Sequence, residues 1–376
     1  MTGAGSRRQR CLILFFTVLL IGGGSYAFRR LPVDAYPDLS PPRVEIVTQW
    51  EGHAAEEVER LITVPLETEM NGIPNMTVIR SISLYGLSDV RLAFKPGTDS
   101  YFARQQAIER LADVSLPDGV KPSMAPLFSP SGLIFRYVLE SPDRSATELK
   151  TLEDWVIERQ YKSVPGVADD SGLGGPTMQY QVLLDPAKVA AVGLSVPLIV
   201  SSLTANNGNA GGGFYSQGGQ FYYVRGLGRL QTPEDIGSVV VAVHNGTPVL
   251  IRDIGRVVIG AAPRLGQFGF NDRDEAVEGV ILLRKGAQAQ VVLDRLEKKT
   301  AELNRSVLPR DVKIRPFYDR RDLIALTTRT VEDNLLRGML LVIVILIFFL
   351  YDVRTVLTFA VTIPLSRLCA FVCLDP

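Results

Sequence analysis

The chain has 376 residues, with 40 Lys and Arg set against 40 Asp and Glu, two histidines and three cysteines. The balanced charge leaves no global field pointing to nucleic acid or to an acidic partner. With no cysteine between residues 12 and 368, the long central region has no disulfides and offers no thiol chemistry. At this length two or three domains are expected, and the apolar residues gather at the two ends.

The first end reads CLILFFTVLLIGGGSYAF, Cys11 to Phe28, about one membrane thickness as a helix. RRQR, Arg7 to Arg10, precedes it, and such residues tend to stay cytoplasmic. A cleaved signal peptide competes with an anchor, because Ser25-Tyr26-Ala27 has the small-x-small look of a cleavage site. The length of the apolar run favours the anchor.

From Val44 to Phe317 the pattern switches repeatedly between period two and period 3.6. VEIVTQW (44–50) alternates, with Val44, Ile46 and Trp50 on one face. HAAEEVERLITVPLETEMNG (53–72) opens with acidic residues and closes on glycine, as a helix should, and Pro65 is expected to kink it. VRLAF (90–94) alternates again. A helix over 100–115 follows the cap candidate Asp99 and sets Tyr101, Ile108, Leu111 and Ala112 on one stripe. VKPSMAPLF (120–128) reads as extended, with prolines suited to an edge.

The alternation returns in FRYVLE (135–140), followed by a helix over 147–161 with Leu149, Leu152 and Val156 at helical spacing. MQYQVLLD (178–185) puts Met178, Tyr180, Val182 and Leu184 together as a strand. VEGVILLRK (277–285), a helix through Leu296 and Leu303, and VKIRPF (312–317) close the series. Recurring strand–helix–strand units favour small sheets with helices on one face, the split βαβ arrangement.

NNGNAGGGFYSQGGQFYYVRGLG (206–228) is different in kind. On physics alone it is either a flexible loop or two extended arms around a glycine-rich turn. SVVVAVHNGTPVLIRDIGRVVIG (238–260) then reads as a meander turning at NGTP. The block 186–262 looks inserted into the last strand–helix repeat.

The second apolar end, Leu335 to Tyr351, carries no charge from Met339 to Tyr351 and is the strongest span signal. Asp352-Val353-Arg354 joins it to a third apolar stretch, Thr355 to Leu374, as a tight hairpin. If Arg7 to Arg10 lie inside, residues 29 to about 333 lie outside.

Signals for enzyme chemistry are poor. His53 and His244 read as surface histidines, and neither spacing nor cysteine supply supports a metal site. GNAGGG lacks the Gly-Lys-Ser/Thr of a phosphate loop. Glu56, Glu57 and Glu59 read as a solvated helix face. Met70, Met76, Met124 and Met178 read as core filling rather than soft-metal ligands. No catalytic residue, cofactor or metal ligand is expected.

The run 31–111 strongly resembles the resistance-nodulation-division efflux transporters, within them the heavy-metal branch. LPVDAYPD, VPLE, RSISLYGLS, GTDSYFARQ and ERL carry the likeness, in order and at the expected spacing, and 335–366 matches the second span and the start of the third. The resemblance implies an α+β membrane protein, with transmembrane helices flanking periplasmic ferredoxin-like (split βαβ) porter subdomains and an inserted docking subdomain. Mapped here, residues 1–30 are a cytoplasmic tail and first span, and 31–130 are the first porter subdomain. Residues 131–185 with 263–332 form the second porter subdomain, 186–262 the docking subdomain, and 333–351 and 355–374 the second and third spans.

The resemblance favours the hairpin reading of 206–228 and makes it an arm that contacts a neighbouring protomer through Gly211, Gly212, Gly213, Phe214, Tyr215, Phe221, Tyr222 and Tyr223. It implies a bacterial inner-membrane location among membrane lipid and a homotrimer or mixed trimer. The implied partners are a periplasmic adaptor protein and an outer-membrane channel. The implied activity is proton-driven export of cations, heavy metals or drugs. The family's proton-relay residues lie in a fourth span beyond Pro376, and its methionine metal ligands lie in a second half, so no residue here inherits either role. Arg367 falls where the family is apolar, at a cost of about 2.5–3.5 kcal/mol at mid-span, and with the closing proline it reads as a truncated or frame-damaged product, inactive alone. The alternative is a membrane-anchored periplasmic binding or assembly module that modulates a full-length pump.

Overall fold

The computed structural model describes residues 15–27, 34, 38–244, 246–264, 266–350 and 353–374. The expected basic flank Arg7 to Arg10, the start of the first span and Asp352 lie outside the described residues. In chain order the elements are helix α1 (15–27), strand β1 (Arg43–Gln49), helix α2 (Ala55–Val58, Glu59–Thr63 and Val64–Met70 in succession), β2 (Met76–Leu84), β3 (Leu87–Phe94), α3 (Ser100–Leu111), β4 (Ser123–Met124) and β5 (Phe128–Glu140). Then come α4 (Ala146–Leu152, Glu153–Ile157 and Glu158–Lys162), β6 (Val167–Leu173), β7 (Met178–Leu184), α5 (Pro186–Ala191), α6 (Val196–Ala205), β8 (Ala210–Gln217), β9 (Gln220–Gly226) and α7 (Pro233–Gly237). The remainder is β10 (Val240–His244), β11 (Thr247–Leu250), α8 (Ile251–Ile254), β12 (Gly255–Ala261), β13 (Val277–Arg284), α9 (Ala289–Glu302 and Leu303–Val307), β14 (Lys313–Asp319), α10 (Arg320–Leu350) and α11 (Val353–Leu374).

The chain divides into two units, the first made of Met1–Glu140, Ile157–Ser171 and Gly279–Pro376, the second of Ser141–Val156 and Gly172–Glu278. In the first unit a sheet of order β2-β3-β1-β4 is antiparallel throughout. The alternation expected for VEIVTQW puts Val44, Ile46 and Thr48 inward, and Trp50 packs against the same core. Helices α2 and α3 cover that face with Ile62, Leu66, Met70, Ala103 and Ala107. Asp99 caps α3 as expected, accepting from the Tyr101 amide at 3.0 Å. The buried stripe of α3 is not the expected one: Tyr101 and Ile108 are exposed, while Ala103 and Ala107 are fully buried. Two alanines let the helix backbone approach the core closely, which turns the larger residues outward.

Among the described residues three helices contain a π segment, at Glu59–Thr63, Glu153–Ile157 and Leu303–Val307. Their buried residues explain why. Val58, Ile62, Leu66 and Met70 recur every four residues, as do Leu149, Glu153, Ile157 and Tyr161. At 100° per residue a spacing of four drifts by about 40° each step, and a π turn absorbs the drift. In α2 the Val64 amide donates to the Glu59 carbonyl, five residues back. Pro65, expected to kink the helix, sits in the first turn of the next α segment, where its missing N–H breaks no bond. In α4 the same insertion moves burial off the expected Leu152 and Val156 onto Glu153 and Ile157.

A second sheet has the order β14-β5-β13-β6. Strand β5 is buried on both faces, through Ile134, Phe135, Tyr137, Val138 and Leu139. The Tyr161 hydroxyl meets Thr300 Oγ1 on α9 at 2.7 Å.

The second unit is built from two-stranded pieces. Its core is Ile199, Val239, Val241, Ile251 and Ile254, with Val182, Leu184, Leu203 and Leu230 packed on it. The expected meander over 238–260 is broken. β10 and β11 form a hairpin, but α8 intervenes and β12 pairs antiparallel with β7, from Gly255 opposite Leu184 to Ala261 opposite Met178. Ile251 and Ile254 explain the break: a short helix buries both, which a straight strand would not. Met178 is 40% exposed on β7, so core filling fails for it, whereas Met70 is fully buried and Met76 and Met124 pack on the first core.

α10 runs 31 residues and exposes Leu340, Leu341, Val344, Phe348 and Phe349. α1 and α11 approach closely at Gly24, where a β-carbon would lie 2.7 Å from Leu368 Cβ. Cys369 and Cys373 are free and exposed. Among the described residues no helix is long and apolar enough to cross a membrane.

Candidate functional site

Residues 206–228 form a hairpin. β8 and β9 pair antiparallel with Phe214 opposite Tyr223, Tyr215 opposite Tyr222, and Ser216 opposite Phe221. Gly218 and Gly219 both have positive φ, 61° and 79°, which a two-residue turn matched to strand twist requires. The register shifts between Gly211 and Phe214, and Gly213 takes φ 76° there. Gly212 is needed for a different reason: a β-carbon would lie 2.8 Å from the Val224 side chain.

Strand alternation sorts the aromatics onto two faces. One carries Phe214, Phe221 and Tyr223, with ring centroids 5.5 Å and 6.2 Å from Phe214. The other carries Tyr215 and Tyr222, stacked at 5.2 Å. Every residue of both strands is exposed, Tyr223 at 84%. At the neck, the Asn209 side chain accepts from the Gly228 amide and that of Asn207 from the Leu230 amide, each at 3.2 Å. Leu230 in turn packs on the core of the second unit. Below it, the Asp235 carboxyl is held beneath the usual carboxylate range by backbone amides of Gln231 and Thr232 and by the Thr232 hydroxyl. The hairpin is thus tied at its base and bare along its length. A two-stranded ribbon is marginal alone in water, and bare rings on both faces suit burial against another surface.

All eight residues expected in the arm fall on this hairpin or its bulge. The other singled-out residues do not gather. His53 stacks on Trp50 with centroids 3.4 Å apart, and its Nδ1 lies 3.1 Å from the Glu51 carbonyl. His244 ends β10, exposed. Glu56, Glu57 and Glu59 are exposed. Among the described residues no group of three His, Cys, Asp or Glu is placed to hold a metal ion.

Two features of the first unit went unmarked in the sequence. One is a cavity of about 550 Å³ lined by Arg320, Lys285, Asp34, Asp38 and the start of α9. There the buried Arg320 pairs with Asp34 at 3.1 Å and donates to the Ser131 carbonyl. The other is Asp170 on β6, 1% exposed, which accepts a hydrogen bond from the Tyr137 hydroxyl at 2.8 Å. Burial, with Glu158 and Asp169 nearby, raises the Asp170 carboxyl to about 7 against the pull of the Tyr137 bond and Lys162. The only cue in the sequence was the pair Asp169-Asp170, which looks like any polar turn.

The comparisons agree with this architecture. The AcrB/AcrD/AcrF family model matches residues 6–375. Protein HelA of Legionella pneumophila is 39% identical over 372 residues, 96% of this chain and 35% of that protein. The cobalt-zinc-cadmium resistance protein CzcA of Cupriavidus metallidurans is 37% identical, covering 97% of this chain and 35% of its own length. The cation efflux system protein CusA of Escherichia coli is 36% identical with the same shares. A crystal structure of a heavy metal efflux pump superposes with a TM-score of 0.92 at 39% identity, over 98% of this chain and 37% of that one. The chain therefore spans about a third of the length of these relatives. With a family model matched along nearly its whole length and a mixed α/β fold shared with a solved heavy metal efflux pump, the chain belongs to the AcrB/AcrD/AcrF family of efflux transporters.

Proposed function

We propose that this chain is the N-terminal part of an inner-membrane, proton-driven exporter of heavy-metal cations. The carrying observation is the 37% identity to a cobalt-zinc-cadmium resistance protein over 97% of this chain. In this reading α1, the part of α10 after residue 333, and α11 lie in the bilayer, and residues 29–333 face the periplasm as two porter subdomains and a docking subdomain. The exposed leucines, valines and phenylalanines of α10 support the bilayer placement. The hairpin 206–228 is an arm buried against a neighbouring protomer, and an adaptor protein and outer-membrane channel complete the assembly.

A proton-driven exporter needs ionisable groups within its spans to carry protons. Residues 15–27, 338–351 and 353–374 contain no Asp, Glu or His. This chain by itself therefore exports nothing; it supplies the porter and docking parts. The test is zinc, cobalt and cadmium export from a bacterium stripped of its own exporters. Proton-dependent efflux by the 376-residue chain alone would contradict the proposal. A second reading, a module that mixes into the trimers of a full-length pump, is favoured by the bare aromatic arm. Co-purification with such a pump, lost on mutating the arm, supports it.

A further inference from the structure

The geometry points to a proton-dependent latch in the first unit: Asp170, buried and reached by Tyr137 across Gly279, keeps the edge strand β6 closed while its carboxyl is neutral, and ionisation in that dry site drives β6 open against the pull of the Tyr137 hydroxyl. The strand order β14-β5-β13-β6 leaves β13 between the two partners. Tyr137 can span it only because Gly279 has no side chain: a β-carbon there would lie 2.0 Å from Tyr137 Cζ and 2.2 Å from its hydroxyl oxygen. The hydroxyl end of the ring thus passes over the glycine and reaches Asp170 Oδ2 at 2.8 Å. Tyr161, 5.1 Å from Tyr137 between centroids, braces it and is itself held by Thr300.

The surroundings favour the neutral carboxyl. Tyr137 comes from β5. From α4 come Glu158 and Lys162, with Lys150 and the buried Glu153 beside Gly172, two residues along β6, and from β6 itself Asp169. Lys162 bonds Glu158 and Asp169 at 2.6 Å each, which spends its charge on them. On this face β13 presents Gly279 with the apolar Val277, Ile281 and Leu283, while Glu278 projects from the other side of the strand. Arg136, beside Tyr137, likewise turns away, over the Phe317 ring. Arg284 of β13 and Arg295 of α9 donate to the carbonyls of Val167 and Pro165, at the start of β6. Asp170 sits mid-strand, and its release frees an edge strand with neighbours on one side only.

The sign follows from linkage. The carboxyl titrates at about 7 when latched and at its ordinary 3.8 when exposed. Proton retention therefore favours the latched form fully below 3.8, and the advantage is lost as pH rises through about 7. Between pH 6 and pH 8 the opening equilibrium of β6 increases about tenfold.

Hydrogen–deuterium exchange of the purified full chain tests this, with rates corrected for intrinsic pH dependence. Peptides covering 167–173 are expected to open about tenfold more at pH 8 than at pH 6, while peptides of β1 and β3 stay level. Asp170→Asn is expected to stay closed and insensitive to pH. Tyr137→Phe removes the donor that favours the anion, so its transition moves to higher pH; this arm stands even if the asparagine variant does not fold. A wild-type β6 whose exchange tracks β1, a pH dependence that survives Asp170→Asn, or an unshifted transition in Tyr137→Phe overturns the proposal.

Discussion

Replacing Gly279 by alanine is expected to unseat a fully buried tyrosine of the first unit, Tyr137. The added carbon would overlap the Tyr137 ring at 2.0 Å, and that ring is fully buried. Overpacking of this kind costs about 1–3 kcal/mol, and parting the buried Tyr137 and Asp170 oxygens adds about 1–3 kcal/mol. The chain entropy that alanine removes from the unfolded state, under about 1 kcal/mol, does not offset this. The sum, about 2–6 kcal/mol, is a large part of the roughly 5–15 kcal/mol that keeps a domain folded. Near-ultraviolet circular dichroism should show the unfolding midpoint falling by about 5–20 °C. The cause is separable by a double-mutant cycle: in a Tyr137→Leu background nothing aromatic remains to displace, and Gly279→Ala should cost under about 1 kcal/mol. If the two substitutions are additive within about 0.5 kcal/mol, the steric reasoning is wrong.

Phe214→Ser with Tyr223→Ser should leave the unfolding midpoint within about 2 °C, because both rings are exposed and pair with each other within the hairpin; chemical cross-linking should show self-association lost. Gly219→Ala forces a side chain into φ 79° and should fray the hairpin by about 1 kcal/mol, seen as faster exchange over 214–223. Arg320→Ala removes the ion pair to Asp34 and leaves a hole where a 3% exposed side chain stood, at about 3 kcal/mol in urea unfolding, whereas Asp34→Asn, at a 37% exposed site, should cost about 1 kcal/mol or less. Stability of the first unit should fall by about 1.4 kcal/mol from pH 6 to pH 8, and this loss should vanish in Asp170→Asn.

Periodicity was enough to place β1, β3, α3 and β7, because one buried face writes itself into the sequence as alternation or as a helical stripe. It misled where burial spacing is four: Leu149, Leu152 and Val156 are the natural α-helical stripe, and only a π turn makes Glu153 and Ile157 the buried set. It misled at α3, where small residues mark close approach and large ones face out. Pairing of β12 with β7 rather than β11 depends on a partner some 75 residues away, which local pattern does not encode. The aromatic arm was only half readable: glycines between aromatic runs fit a flexible loop as well as a hairpin, and the family resemblance rather than the turn signal favoured the hairpin. Asp170 was not, since its chemistry comes from Tyr137 and from the absence of a side chain at Gly279, both distant in the chain.

The most direct test of the whole account is topological. With Cys11, Cys369 and Cys373 changed to serine, single cysteines at the exposed positions Asp272 and Lys298 can be probed in cells with a permeabilised outer membrane. The chain is expected to sediment with membranes after carbonate washing, and both sites to react with a membrane-impermeant maleimide before lysis. Labelling only after lysis, or a chain left in the soluble fraction, would contradict this.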